Sequence, residues 1–79
     1  MRVDLLLKTL RIFKRRTIAS EAAREGFVFI NGKVVKPSYE PKAGDILELK
    51  SDIYHSKYLI LKIPENKNIK DIDSYIKKL

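Results

Sequence analysis

FVFINGKVV, residues 27 to 35, changes the rhythm of the chain. Upstream of it, apolar residues recur every three or four positions, the period of a helix face; within it, the period is two. Two β-rich runs flank Asn31-Gly32, a pair suited to a type I′ turn because both central residues of that turn need positive φ. The stretch therefore reads as a hairpin preceded by helices.

Working upstream, Val3, Leu6, Leu7, Leu10 and Phe13 predict a helix over 3–11, with Asp4 suited to the positive end of its dipole. Ala19, Ala22, Ala23 and Gly26 mark a second helix over 17–25, whose small face lets it approach the first closely. Thr17 is its expected N-cap and Gly26 its stop signal. Arg16, Ser20 and Arg24, four apart, line one exposed stripe of that helix. Phe13, Phe27 and Phe29 fall at expected core positions.

Working downstream, KPSYEPKAG (36–44) reads as a loop, DILELK (45–50) as a strand and KYLILKI (57–63) as another, ended by Pro64. Ile69, Ile72, Tyr75, Ile76 and Leu79 predict a short C-terminal helix over 68–79. The expected fold is α+β: two N-terminal helices packed on a small, mostly antiparallel sheet over residues 1–64, then a C-terminal helical extension over 65–79.

Seventy-nine residues suffice for one domain with a modest core, and 44% apolar content fits a folded chain. Seventeen Lys and Arg against ten Asp and Glu give +7, a field that favours polyanions. The charge is uneven. Residues 1–16 carry six cations (Arg2, Lys8, Arg11, Lys14, Arg15 and Arg16) against Asp4 alone, whereas residues 41–79 carry eight against six. Charge serving solubility alone has no reason to concentrate in this way. With no cysteine, disulfides and thiolate metal sites are excluded, which fits a reducing cytosol. No apolar run approaches the roughly 20 residues of a membrane span, and no cleavage signal follows the N-terminal segment. A cytoplasmic chain without a membrane partner is expected.

Little points to catalysis. His55 is the single histidine, in a polar segment near Asp52, and reads as structural or solvated. No serine sits in a GxSxG elbow, and the glycines at 26, 32 and 44 are too scattered to cradle a phosphate. Asp45 and Glu48, three apart in a strand, point to opposite faces. Neither an enzyme, nor a cofactor, nor a metal is expected.

The cations from Arg11 to Arg16, four in six residues, stand at the junction of the two helices. An arginine fork can hold a phosphate through two hydrogen bonds, and the amides at a helix N-terminus favour the same anion. No RGFGFVxF-like stretch is present, so a base-stacking sheet of the RRM type is disfavoured. Recognition of structured RNA through shape and phosphates fits better. Tyr39 and Tyr54, in loops, could still stack on a base.

Arg2-Val3-Asp4, Leu7-Lys8, Arg11, Lys14-Arg15-Arg16-Thr17-Ile18-Ala19, Gly26, Val28, Ile30-Asn31-Gly32-Lys33, Lys36-Pro37 and Gly44-Asp45 resemble, in order and spacing, the S-four RNA-binding domain, named after small-subunit ribosomal protein four. The resemblance spans residues 2 to about 50. Among free-standing bacterial members, the KRRTIA segment looks most like the RqcP group of ribosome-associated quality-control factors, and less like the heat-shock-protein-fifteen group. It implies a protein, monomeric when free, that binds large-subunit ribosomal RNA and peptidyl-tRNA after stalled translation. In the RqcP case it also implies support for a partner factor that adds an alanine tail to the stalled chain.

Carried over by position, the resemblance makes Arg16 the principal RNA contact. Arg2, Lys8, Arg11, Lys14, Arg15 and Ser20 surround it, Lys33 and Lys36 extend the surface from the hairpin, and Asp4 orients an arginine. Thr17, Gly26, Asn31 and Gly32 are structural. Many family members have Ser or Thr where this chain has Arg15, which removes a cap and adds charge. Other readings are a tRNA or small-RNA binder with no ribosomal role and a winged DNA-binding module. Against the latter, Ser20 on a short, alanine-faced helix offers little base-edge chemistry. An RNA-modifying enzyme would need a partner chain to supply its catalytic group.

Overall fold

The computed structural model describes residues 1–79. Its elements are α1 (Val3–Thr9), α2 (Arg16–Arg24), β1 (Val28–Ile30), β2 (Lys33–Val34), β3 (Ile46–Lys50), β4 (His55–Ile60), a 3₁₀ turn (Ile72–Ser74) and β5 (Ile76–Lys78). The strands form one antiparallel sheet in the order β2-β1-β3-β4-β5.

The helical spacing at the N-terminus produces the expected face. Val3, Leu6, Leu7 and Leu10 are buried against Ala19 and Ala23 of α2 and the inner face of the sheet. That inner face is Val28, Ile30, Leu47, Leu49, Tyr58 and Ile60, brought level by the pairings Val28↔Leu49, Ile30↔Leu47 and Leu47↔Tyr58. Each fully buried aliphatic side chain contributes about 1.5–3 kcal/mol. Strand alternation then turns Phe29 outward, level with Val34 and Glu48, so it lies outside the core assigned to it from sequence. Phe13 is half-buried at the edge of the core.

Both helices end in Schellman motifs. At α2, Gly26 takes φ +87, its amide donates to Ala23 O, and the Phe27 amide donates to Ala22 O. Phe27 thus lies beyond the helix rather than in the core, 40% exposed, where it lines an apolar groove with Ala22. At α1 the same pattern runs through Arg11: its amide donates to Lys8 O and that of Ile12 to Leu7 O. Arg11 sits at φ 59, a conformation that costs a residue with a Cβ roughly 1–2 kcal/mol. This left-handed turn ends α1 at Thr9, two residues before the expected boundary.

The hairpin is as its sequence predicts, with Asn31 at φ 53 and Gly32 at φ 84. Asn31 also clips the turn to β3. Its Oδ1 accepts from Ile46 N at 2.9 Å, and its Nδ2 donates to Asp45 Oδ1 at 3.1 Å.

The C-terminal helix is absent. Ile69 anchors the segment in the core, only Ile72–Ser74 makes a 3₁₀ turn, and Ile76–Lys78 pairs antiparallel with β4 through Ile60↔Ile76 and Tyr58↔Lys78. The free edge of β4 needs partners for its backbone groups, and a twelve-residue helix is marginal without packing. Residues 76–78 therefore complete the sheet rather than a helical extension. β4 itself stops at Ile60, short of the expected boundary at Ile63, although the Leu61 amide still donates to Tyr75 O. No helix is long and apolar enough to cross a membrane.

Candidate nucleic-acid interface

The first turn of α1 takes its acceptors from the loop after the hairpin: Val3 N donates to Tyr39 O at 2.7 Å and Asp4 N to Pro37 O at 3.3 Å. The Asp4 carboxylate accepts from its neighbour Leu5 N and faces two arginines. Arg2 Nη2 donates to Asp4 Oδ2 at 3.1 Å, and Arg16 Nε lies 3.5 Å from Asp4 Oδ1. The Asp4 side chain is only 3% exposed, whereas those of Arg2 and Arg16 are 48% and 44% exposed. A buried carboxylate is costly without a partner, so this one holds both guanidinium stems while their outer faces remain in solvent.

No other lysine or arginine is ion-paired; the remaining two ion pairs are the N-terminal amine with Glu40 and His55 with Glu48. The positive field is therefore not cancelled internally. His55 meets Glu48 across the β3–β4 pair rather than Asp52.

Thr17 is not the cap of α2. Arg15 occupies the N-cap position at φ −127 and ψ 140, and no side chain closes the helix end. An arginine has no acceptor with which to do so. The amides of Arg16, Thr17 and Ile18 find no acceptor within the chain, and the first turn holds no acidic residue. Lys14, Arg15 and Arg16, all exposed, therefore stand at an open positive helix end.

Other residues singled out from sequence divide into two groups. Arg2, Ser20 and Lys36 line one open groove with Arg24, whose Nη2 donates to Ser20 Oγ at 3.1 Å. Lys33 joins this side through a small adjoining groove shared with Lys36 and Tyr39. Lys8, in the last turn of α1, groups instead with Arg11 and Lys14, which follow that helix. Arg24 was missing from the expected RNA surface, although its spacing from Ser20 places it on the same stripe. Gly26, Asn31 and Gly32 hold turns, as described above.

Residues 1–47 match the family model of the S4 domain, the S-four domain of the resemblance. The chain belongs to the S4 domain family. The Asp4 cluster, α2 and the hairpin all fall inside the S4 domain match, and β4 and β5 fall outside it. Among curated proteins, the chain is similar to the RQC P-site tRNA stabilizing factor of Helicobacter pylori, with 37% identity over 96% of this chain and 90% of that one. The protein of the same name from Streptococcus pneumoniae is 40% identical over 86% of this chain and 74% of its own length. Among solved structures, the trimeric structure of Vibrio cholerae heat shock protein 15 has a TM-score of 0.88 at 24% identity, covering 100% of this chain and 81% of that one. It shares the fold. A hypothetical protein solved in solution matches with a TM-score of 0.85 and 38% identity, covering 100% of this chain and 96% of its own.

Proposed function

We propose that this S4 domain protein is a non-enzymatic RNA-binding factor that holds peptidyl-tRNA and ribosomal RNA on the large ribosomal subunit during quality control of stalled nascent chains. The observation that carries the reading is the Asp4 cluster: one buried carboxylate aims Arg2 and Arg16 outward beside the uncapped end of α2. Preset forks of this kind lose little freedom on meeting phosphates, and three unpaired amides add donors at the same place. The relatives named as P-site tRNA stabilizing factors support tRNA as a ligand. In this reading Arg16 is the central contact, and Arg2, Lys8, Arg11, Lys14, Arg15, Ser20, Lys33 and Lys36 carry the RNA-binding surface outward from it. A factor that tails the stalled chain is the expected protein partner, and the cytoplasm the place of action.

The test is co-sedimentation with isolated large subunits, with and without retained peptidyl-tRNA. The protein should pellet with the loaded subunits, and Arg16→Ala should weaken that association by about 1–3 kcal/mol, the range for charge-assisted hydrogen bonds. Equal recovery with empty subunits, or an Arg16→Ala variant that pellets as well as the parent, would reject the proposal.

A further inference from the structure

Lys8, Arg11 and Lys14 are not isolated surface charges. They form one wall of an open cleft of about 640 Å³ whose facing wall carries Lys67, Asn68 and Lys70 from the segment before β5. Five cations thus converge from two parts of the chain, with no carboxylate in the lining and none of the five in an ion pair.

The cleft is built rather than incidental. Arg11 Nη2 donates to Ile69 O at 3.0 Å across 58 residues of sequence, and the Ile69 side chain is buried in the core. The segment is therefore fastened from both sides, and the lysines flanking Ile69 are presented in place. Arg11 makes this reach from the left-handed position that closes α1. Thr9 also lines the cleft, and its buried Oγ1 has no hydrogen-bond partner within the chain. That oxygen is shut off from solvent, so a ligand entering the cleft would meet its cations rather than this hydroxyl.

We propose that this cleft is a second phosphate site, which takes the sugar–phosphate backbone of RNA at the opposite end of α1 from the Asp4 cluster. The two sites are separated by the seven residues of α1, about 10 Å of helix. The inference rests on the RNA-binding reading above and extends it to Lys67 and Lys70, which lie outside the matched residues 1–47. An RNA strand fits better than a bilayer because the cations line a recess, which a strand can enter and a flat headgroup layer cannot.

The test compares the full chain with Lys67→Ala/Lys70→Ala and with Arg16→Ala. Both lysines are exposed, so the double variant should fold as the parent does, which circular dichroism checks. Binding of a fluorescently labelled tRNA transcript is followed by anisotropy across salt concentrations. The double variant should bind at least about tenfold more weakly, and its log–log salt slope should be shallower by about 0.7–0.9 for each phosphate that the lysines no longer neutralise. If the double variant matches the parent while Arg16→Ala weakens binding, the cleft proposal is overturned and the RNA-binding reading stands. Should neither variant differ from the parent, both fail. Loss of binding to phosphatidylglycerol vesicles with tRNA binding intact would assign the cleft to a membrane surface and likewise overturn the proposal.

Discussion

Asp4 Oδ1 lies 3.5 Å from Arg16 Nε, across twelve residues of sequence, while the other oxygen of the same carboxylate accepts from Arg2 Nη2. One buried anion thereby fixes the direction of two half-exposed cations. The pairing ties the first turn of α1 to the first turn of α2, so the geometry of the cationic surface and the packing of the helix pair share one side chain.

Asp4→Asn separates orientation from bulk charge. Removing one negative charge raises the net charge from +7 to +8, so attraction by total charge alone would tighten RNA binding. Orientation predicts the reverse, because the carboxamide keeps one acceptor oxygen and no charge, so at least one guanidinium loses its anchor. Affinity for a tRNA transcript should fall several-fold, and urea denaturation should show a loss of about 1–2 kcal/mol, discounted for the solvent exposure of the arginines. Tighter binding would show that the arginines need no positioning.

Tyr58 predicts alkaline behaviour. Burial, reinforced by the neighbouring Tyr54 hydroxyl, raises its pKa above the ordinary value near 10. The neutral phenol is the form the fold favours. Its contribution to stability is complete below about pH 10, the unfolded value, and is lost as pH rises through the higher folded value. Urea midpoints between about pH 9 and pH 11 should fall more steeply for the parent than for Tyr58→Phe. Equal slopes would remove Tyr58 as the cause.

At the hairpin, the two turn residues should differ in consequence. A Cβ at Gly32 would meet no atom within 4 Å, so Gly32→Ala is expected to cost only the strain of its φ of +84, roughly 1–2 kcal/mol. Asn31→Ala leaves Ile46 N without its side-chain acceptor and removes the bond to Asp45, an additional loss of about 1–3 kcal/mol. For a domain of this size each kcal/mol lowers Tm by about 4–8 °C. Thermal unfolding should therefore rank Asn31→Ala below Gly32→Ala, with tRNA affinity near that of the parent in both.

The parts of the fold that could be read from sequence are those where local chemistry and tertiary structure agree. Asn31-Gly32 supplies the two positive φ values of its turn, and Val3, Leu6, Leu7 and Leu10 repeat at the period of the face they bury. The failures have the opposite origin. Ile69, Ile72, Tyr75 and Ile76 repeat like a helix, but the open edge of β4, made by residues distant in sequence, draws the chain into a fifth strand. Thr17 looks like a cap until Arg15 takes the position before the helix. Of the interface, the charges near the N-terminus could be read directly. The division into an Asp4 cluster and a cleft facing Lys67 and Lys70 could not, because no local pattern says that Arg11 reaches Ile69.

Arg11 offers the sharpest separation of folding from binding. At φ 59, with its amide in the Schellman motif of α1, it holds a position where glycine would be unstrained. Its guanidinium returns one hydrogen bond, to Ile69 O, with a net worth of about 0.5–1.5 kcal/mol. Arg11→Ala keeps the backbone strain and loses the bond, so it should be destabilised by that amount. Arg11→Gly loses the same bond but relieves strain of roughly 1–2 kcal/mol, partly offset by the greater freedom of glycine in the unfolded chain, so it should stand near the parent and above Arg11→Ala. Both variants lack the charge, so both should lose the same several-fold affinity for a tRNA transcript. Urea denaturation and anisotropy on the two proteins decide the matter. If glycine proves no more stable than alanine, the backbone at residue 11 carries no strain; if either binds RNA as the parent does, the arginine is there for the fold alone.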